Sequence, residues 1–127
     1  MKLSVLRACR RLLRPHGRLA FFTIEVTPGL PPDLHRRAVA AGPPTPAGPD
    51  IAGLLHKARF VDVVAEDRTP DYLETAKAWL AARLRHRDEM RPVDPATYDL
   101  RIDEAHVAIP AIEAGLLCRR LYVARRS

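Results

Sequence analysis

Three observations predict an α/β fold. Residues 18–26 and 60–67 are short runs rich in strand formers, and each follows a segment whose apolar residues recur at three- and four-residue steps. A third strand-like run, 116–124, closes the chain after a long helical stretch. The order is helix–strand–helix–strand–helix–helix–strand, the alternation of α/β proteins. Two helical segments precede the last strand, so a mixed sheet with an antiparallel member is expected.

Residues 2–14 predict an amphipathic helix. Leu3, Leu6, Cys9, Leu12 and Leu13 form its apolar side, and Arg7, Arg10, Arg11 and Arg14 the other. Cations in its last turn suit the negative end of the helix dipole. Pro15-His16-Gly17 stops it. The apolar centre of 18–26, Leu19-Ala20-Phe21-Phe22, reads as a strand buried on both faces. Residues 27–50 are rich in Pro and Gly, with room for a short helix at 33–41, and read as a lid or binding loop because ordinary connections are shorter. Asp50 is placed to cap a helix over 51–58, with Ile51, Leu54, Leu55 and Ala58 on one face.

The 60–67 strand carries Phe60, Val61, Val63 and Val64. Thr69-Pro70-Asp71 is a helix start: a hydroxyl, a proline in the first turn, and an acid near the positive dipole end. That helix is expected over 71–90, with Tyr72, Ala76, Trp79, Ala82 and Leu84 near one side. Pro92 and Pro95 bracket a break. A further helix over 96–113 carries Leu100, Ile102, Val107 and Ile109, with Pro110 kinking or ending it and Gly115 capping it. Residues 70–114 thus form a helical insert before the last strand.

Composition narrows the function classes. A chain of 127 residues is one ordinary domain at most, and 47% hydrophobic with 28% charged residues is a globular balance. No apolar run reaches the roughly 18 residues of a membrane span. Cys9 and Cys118 form no zinc pattern and no disulfide framework, so a reduced cytoplasmic compartment is expected, with both thiols as small core residues. Arginine makes up 18 of the 21 basic residues behind the net charge of +6. The arginines are spread along the chain, and the seven aromatics are not interleaved with them as stacking platforms. Solvated faces are therefore favoured over a nucleic-acid surface. The acid-free first 24 residues have only one serine, Ser4, before the 18–26 strand, unlike a Ser-rich mitochondrial presequence.

The stretches LRACRRLLRPHGRLAFFTIEV, DIAGLLHKARFVDVVAEDRT and GLLCRRLYVARR, in that order, resemble the C-terminal half of class I S-adenosylmethionine (SAM)-dependent methyltransferases. In that family a Leu-Arg/Lys-Pro-Gly-Gly turn feeds the fifth strand, and here the turn is Leu13-Arg14-Pro15-His16-Gly17. The family's Ala-Gly-Phe turn into the sixth strand is here Ala58-Arg59-Phe60. Its last strand runs antiparallel between the fifth and sixth, and residues 116–124 fit that place. His16 and Arg59 stand where the family has glycines with unusual backbone angles, at a cost of about 1 kcal/mol each. The resemblance covers nearly the whole chain and implies an incomplete Rossmann-like sheet of about three strands, one partial domain over 1–127.

What the resemblance leaves out also shapes the expectation. The family holds SAM in the first half of its sheet, with a glycine-rich loop and a ribose-binding acid. The six glycines here include no G-x-G, so no cofactor-binding residue carries over and SAM is not expected to bind this chain alone. The chain reads as a truncated frame, a gene fragment or a degenerate paralogue. Its 18–26 strand would be an open edge that invites self-association or a partner chain.

Substrate in such folds lies beyond the C-terminal ends of the strands. Glu25 and Asp67 are the candidates there, to orient an amine or hydroxyl of a small methyl acceptor. Tyr72 and Trp79, seven apart on one helix, either line an apolar substrate pocket or pack under the sheet. His35 and His106 are the candidate acid/base groups. No histidine pair has the i, i+4 spacing of helical metal ligands, so no metal is expected. Two functions compete: the acceptor-side part of a small-molecule methyltransferase, and a non-enzymatic remnant that pairs its open edge with another chain.

Overall fold

The computed structural model describes residues 1–43 and 50–127. The chain falls into two compact units: Met1–Glu25 with Pro43–Arg68 and Arg119–Ser127, and Val26–Gly42 with Thr69–Cys118. The rest of the 27–50 loop lies outside the described residues. The elements are α1 (Leu3–Leu12), β1 (Arg18–Val26), α2 (Pro32–Ala41), α3 (Ile51–Lys57), β2 (Phe60–Asp67), α4 (Thr69–Arg85), α5 (Arg87–Met90), α6 (Pro95–Glu113) and β3 (Leu117–Arg126). The strands form one sheet in the order β1-β3-β2, and β3 runs antiparallel to β2. The last strand in sequence is thus the central one, and the α/β class with an incomplete Rossmann-like sheet is as the sequence predicts.

The core of the first unit is built on one face of that sheet. Leu6 of α1, Ile51 and Leu55 of α3, Ala58, Phe60, Tyr122 and Ala124 are buried together, with Leu3, Leu13, Leu19, Phe21, Leu54 and Val63 packed against them. Leu12 does not belong to this face and is 88% exposed. Six residues are about 600° of helix, which turns Leu12 some 120° away from Leu6, whereas seven bring Leu13 back over it. Asp50 caps α3 by accepting from the Gly53 N–H at 2.9 Å.

Over residues 18–23 β1 is buried on one face only, contrary to the expectation from its continuous apolar run. Arg18, Ala20 and Phe22 are exposed, while Leu19, Phe21 and Thr23 point inward. An unbroken apolar run is equally consistent with a one-sided strand whose outer face is uncovered, and that is the case here. β2 carries a bulge that the sequence does not announce. Val61 opposes Arg125 and Val64 opposes Val123, so Asp62 and Val63 face the single residue Ala124. Asp62 takes a φ of +53° there, and its carboxylate accepts from Arg125 Nε at 2.7 Å. The extra residue resets the alternation, so Phe60 and Val63 point to the core and Val64 points away.

The two substituted turns adopt the backbone that glycine would favour. His16 has φ +62° and Arg59 has φ +65°. Pro15 and His16 occupy the centre of a turn closed by the Gly17 N–H donating to the Arg14 carbonyl at 2.9 Å. The Arg59 side chain is exposed, and its carbonyl, which glycine would keep, accepts from Ser127 Oγ at 3.0 Å. Arg59→Gly is therefore expected to raise stability by about 1 kcal/mol, through relief of the left-handed strain. Urea unfolding of the two proteins checks this, and an unchanged midpoint would mean the strain is small.

The second unit is helical. Ala38, Ala111, Ile112, Leu116 and Leu117 are buried together, with Val26, Leu30, Leu34, Ala41, Tyr72, Leu73 and Ala76 against them. Asp94 caps α6 by accepting from the Thr97 N–H and hydroxyl, and these bonds hold its carboxyl below the usual carboxylate range. The α6 helix runs through Pro110 to Glu113, and then Gly115 at φ +74° ends it. The Gly115 N–H donates to the Ile112 carbonyl and the Leu116 N–H to that of Ala111, the paired bonds of a Schellman cap. Tyr98 donates to the Arg83 carbonyl at 2.8 Å, tying α6 to α4. Leu100 and Val107 are exposed and lie outside the buried set of α6, which is Tyr98, Ile109, Ala111 and Ile112. Cys9 and Cys118 are half-buried rather than fully in the core.

Candidate functional site

At the C-terminal end of β1 the alternation Phe21, Thr23, Glu25 lines the inner face of the sheet with one apolar and two polar side chains. Thr23 is 5% exposed, and its hydroxyl donates to Glu25 Oε2. Tyr122, from the neighbouring β3, donates to the same carboxylate at 3.1 Å and 3.3 Å. Its ring stacks on Phe21 with centroids 5.5 Å apart. Two residues back on β3, the Arg120 side chain hydrogen-bonds the Tyr122 hydroxyl. Arg120 stands directly opposite Asp67, the last residue of β2, and cross-strand partners share a face. Thr23, Glu25, Tyr122, Arg120 and Asp67 therefore form a polar row where β1 and β2 end.

The electrostatics of the row follow from its partners. Burial pushes the Tyr122 phenol above its ordinary value, and the Glu25 charge and hydrogen bond push it the same way. Arg120 opposes both. A raised folded pKa means that Tyr122 contributes stability below its unfolded value near 10. That contribution is lost as pH rises through the folded value. Above pH 10 the wild type should lose stability more steeply than Tyr122→Phe, by up to about 1.4 kcal/mol per pH unit for one proton. Equal slopes in denaturant titrations would show that the phenol ionises freely.

Of the residues nominated from sequence, Glu25 and Asp67 lie in this row. The others belong to the second unit. Tyr72 packs into its core cluster. Trp79 is 58% exposed, with the Arg83 guanidinium 5.2 Å from its ring centroid. Trp79 is thus largely in solvent, with a cation over its ring, rather than packed under a sheet. The α4 helix buries its Tyr72–Leu73–Ala76 side in the early turns, and its later turns leave Trp79 and Leu84 outside. His35 on α2 and His106 on α6 are both exposed. No cluster of His, Cys, Asp and Glu able to hold a metal occurs among the described residues. No described helix is long and apolar enough to cross a membrane. Thr23, Arg120 and Tyr122 escaped the sequence reading. A hydroxyl breaking the inward alternation Leu19, Phe21, Thr23 was the available signal.

Comparison with solved structures settles the architecture. A putative sarcosine dimethylglycine methyltransferase from Galdieria sulphuraria superimposes on all of this chain with a TM-score of 0.74 at 18% identity. The fold is part of the class I SAM-dependent methyltransferase fold. A Haemonchus contortus phosphoethanolamine N-methyltransferase in complex with S-adenosylhomocysteine matches 98% of the chain, with a TM-score of 0.75 at 15% identity. The Mycobacterium tuberculosis cyclopropane synthase MmaA2 matches the same share, with a TM-score of 0.75 at 16% identity. The chain spans only 48%, 30% and 49% of the lengths of these three proteins, respectively. No family model and no curated protein matches the sequence.

The residues described here do not fit the adenosyl cofactor of this fold. Such a ligand needs a strand-to-helix turn in which glycines let the backbone come close. The turn after β1 has one glycine, Gly29, and the turn after β2 has none.

Proposed function

We propose that this chain is the acceptor-side, C-terminal half of a SAM-dependent methyltransferase acting on a small amine or hydroxyl compound, and that it does not bind SAM alone. The observation that carries this reading is the Glu25 carboxylate at the C-terminal end of β1, held by Thr23 and Tyr122 in a fold shared with methyltransferases. Open α/β sheets take ligands at this end. A carboxylate fixed by two hydroxyl donors keeps one geometry while retaining its charge, so it can orient an ammonium or accept a proton from a hydroxyl. Asp67 supplies a second negative group, separated from Glu25 by the strand that carries Arg120. Methyl transfer asks little of a protein beyond such positioning and proton removal.

The test is an NMR titration of the full chain with sarcosine and with propionate, an acid that lacks the nitrogen. Sarcosine should shift the amides of Glu25, Asp67, Arg120 and Tyr122, propionate should not, and Glu25→Gln should abolish the response. SAM alone should shift nothing. Perturbations confined to other residues, or equal responses to both acids, would sink the assignment.

A second reading is a strand-pairing module with no catalytic role. It is favoured by the position of β1 at an edge of the sheet, with no further strand beside it among the described residues.

A further inference from the structure

The sheet of the first unit has helices packed on one face, and its other face carries an apolar patch. Phe22 is 51% exposed and Val64 is 53% exposed. Val123, in register with Val64, lies on the same side because its neighbours Tyr122 and Ala124 point to the core. The Arg119 guanidinium sits 4.1 Å from the Phe22 ring centroid, which places it on this face too. Beside the patch runs the outer edge of β1, which has no strand beside it among the described residues. An apolar sheet face next to an open edge is what strand addition uses.

Charge selects the occupant. The first unit carries 13 basic and five acidic residues, a net +8, while the second carries eight and ten, a net −2. The chain's +6 is thus an excess on the unit that holds the open edge. A second copy would bring +8 against +8. We propose that the β1 edge and the Phe22–Val64–Val123 face bind an acidic polypeptide, which adds a strand beside β1 and covers the apolar patch. The inference rests on the strand-pairing reading for the edge. It adds the chemistry of the partner and needs neither cofactor nor methyl acceptor.

The experiment uses the full chain and two labelled peptides of the length of β1, nine residues, one alternating Val and Glu and the other Val and Lys. Binding is read by fluorescence anisotropy and located by hydrogen exchange. The acidic peptide should bind about tenfold tighter than the basic one, with protection confined to 18–26. Phe22→Ser, at a half-exposed position, should keep the fold and weaken the acidic peptide about tenfold. Trp79→Ser in the second unit should change nothing. Equal affinities with β1 protected would overturn the charge selection and leave strand pairing standing. No protection of β1 by either peptide would overturn both. An oligonucleotide that competes equally well in Phe22→Ser would assign the surface to polyanions. A mass that rises with concentration, with β1 protected, would assign it to a second copy.

Discussion

Phe60→Ala should destabilise the first unit by about 3–5 kcal/mol, the largest effect expected of any single substitution here. Phe60 is 1% exposed and is the largest fully buried side chain. It lies in the same cluster as Leu6 of α1, Ile51 and Leu55 of α3, and Tyr122 of β3. Its removal leaves a cavity among groups from several elements, which cannot all collapse inward at once. A small unit has about 5–15 kcal/mol of stability in total, so the loss approaches the threshold for folding. Urea unfolding followed by near-UV circular dichroism measures it. A cost near 1 kcal/mol would mean that the cluster relaxes around the void.

Glu25→Leu is the second large effect, expected at about 1–3 kcal/mol. The leucine would take away the acceptor from the Thr23 hydroxyl, which has almost no access to water, and from the Tyr122 hydroxyl. A buried donor left without a partner carries its full desolvation cost. Glu25→Gln keeps a carbonyl acceptor at the same reach and should cost much less, while removing the charge that acceptor binding needs. The pair separates structure from function: Leu should lower the unfolding midpoint and Gln should not, yet both should lose the sarcosine response. If Leu is neutral, the two hydroxyls have found water.

Much of this arrangement is legible in the sequence, for reasons that differ by element. The limits of β2 follow directly from its apolar residues and the Pro70 beyond them. The central place of β3 follows from resemblance rather than from pattern, because strand order is not a local property. The left-handed turns at His16 and Arg59 are legible only because a family of similar turns has glycine there. Three things were not legible. The bulge at Asp62 leaves no mark, since Phe60, Val61, Val63 and Val64 read as one apolar strand in either register. The exposure of Phe22 depends on what covers the outer face of the sheet. Tyr122 sits 97 residues from Glu25, and only the β1–β3 pairing makes them neighbours.

The bulge in β2 also bears on stoichiometry. It gives that edge of the sheet an irregular backbone at Asp62, followed by the charged residues Glu66, Asp67 and Arg68. Such an edge resists a new strand. The opposite edge, along β1, has no residue of positive φ among 18–26. A sheet with one receptive edge takes a new strand on that side alone. If the proposed strand addition occurs, each chain offers it one edge, and the acidic nine-residue peptide should saturate at one per chain.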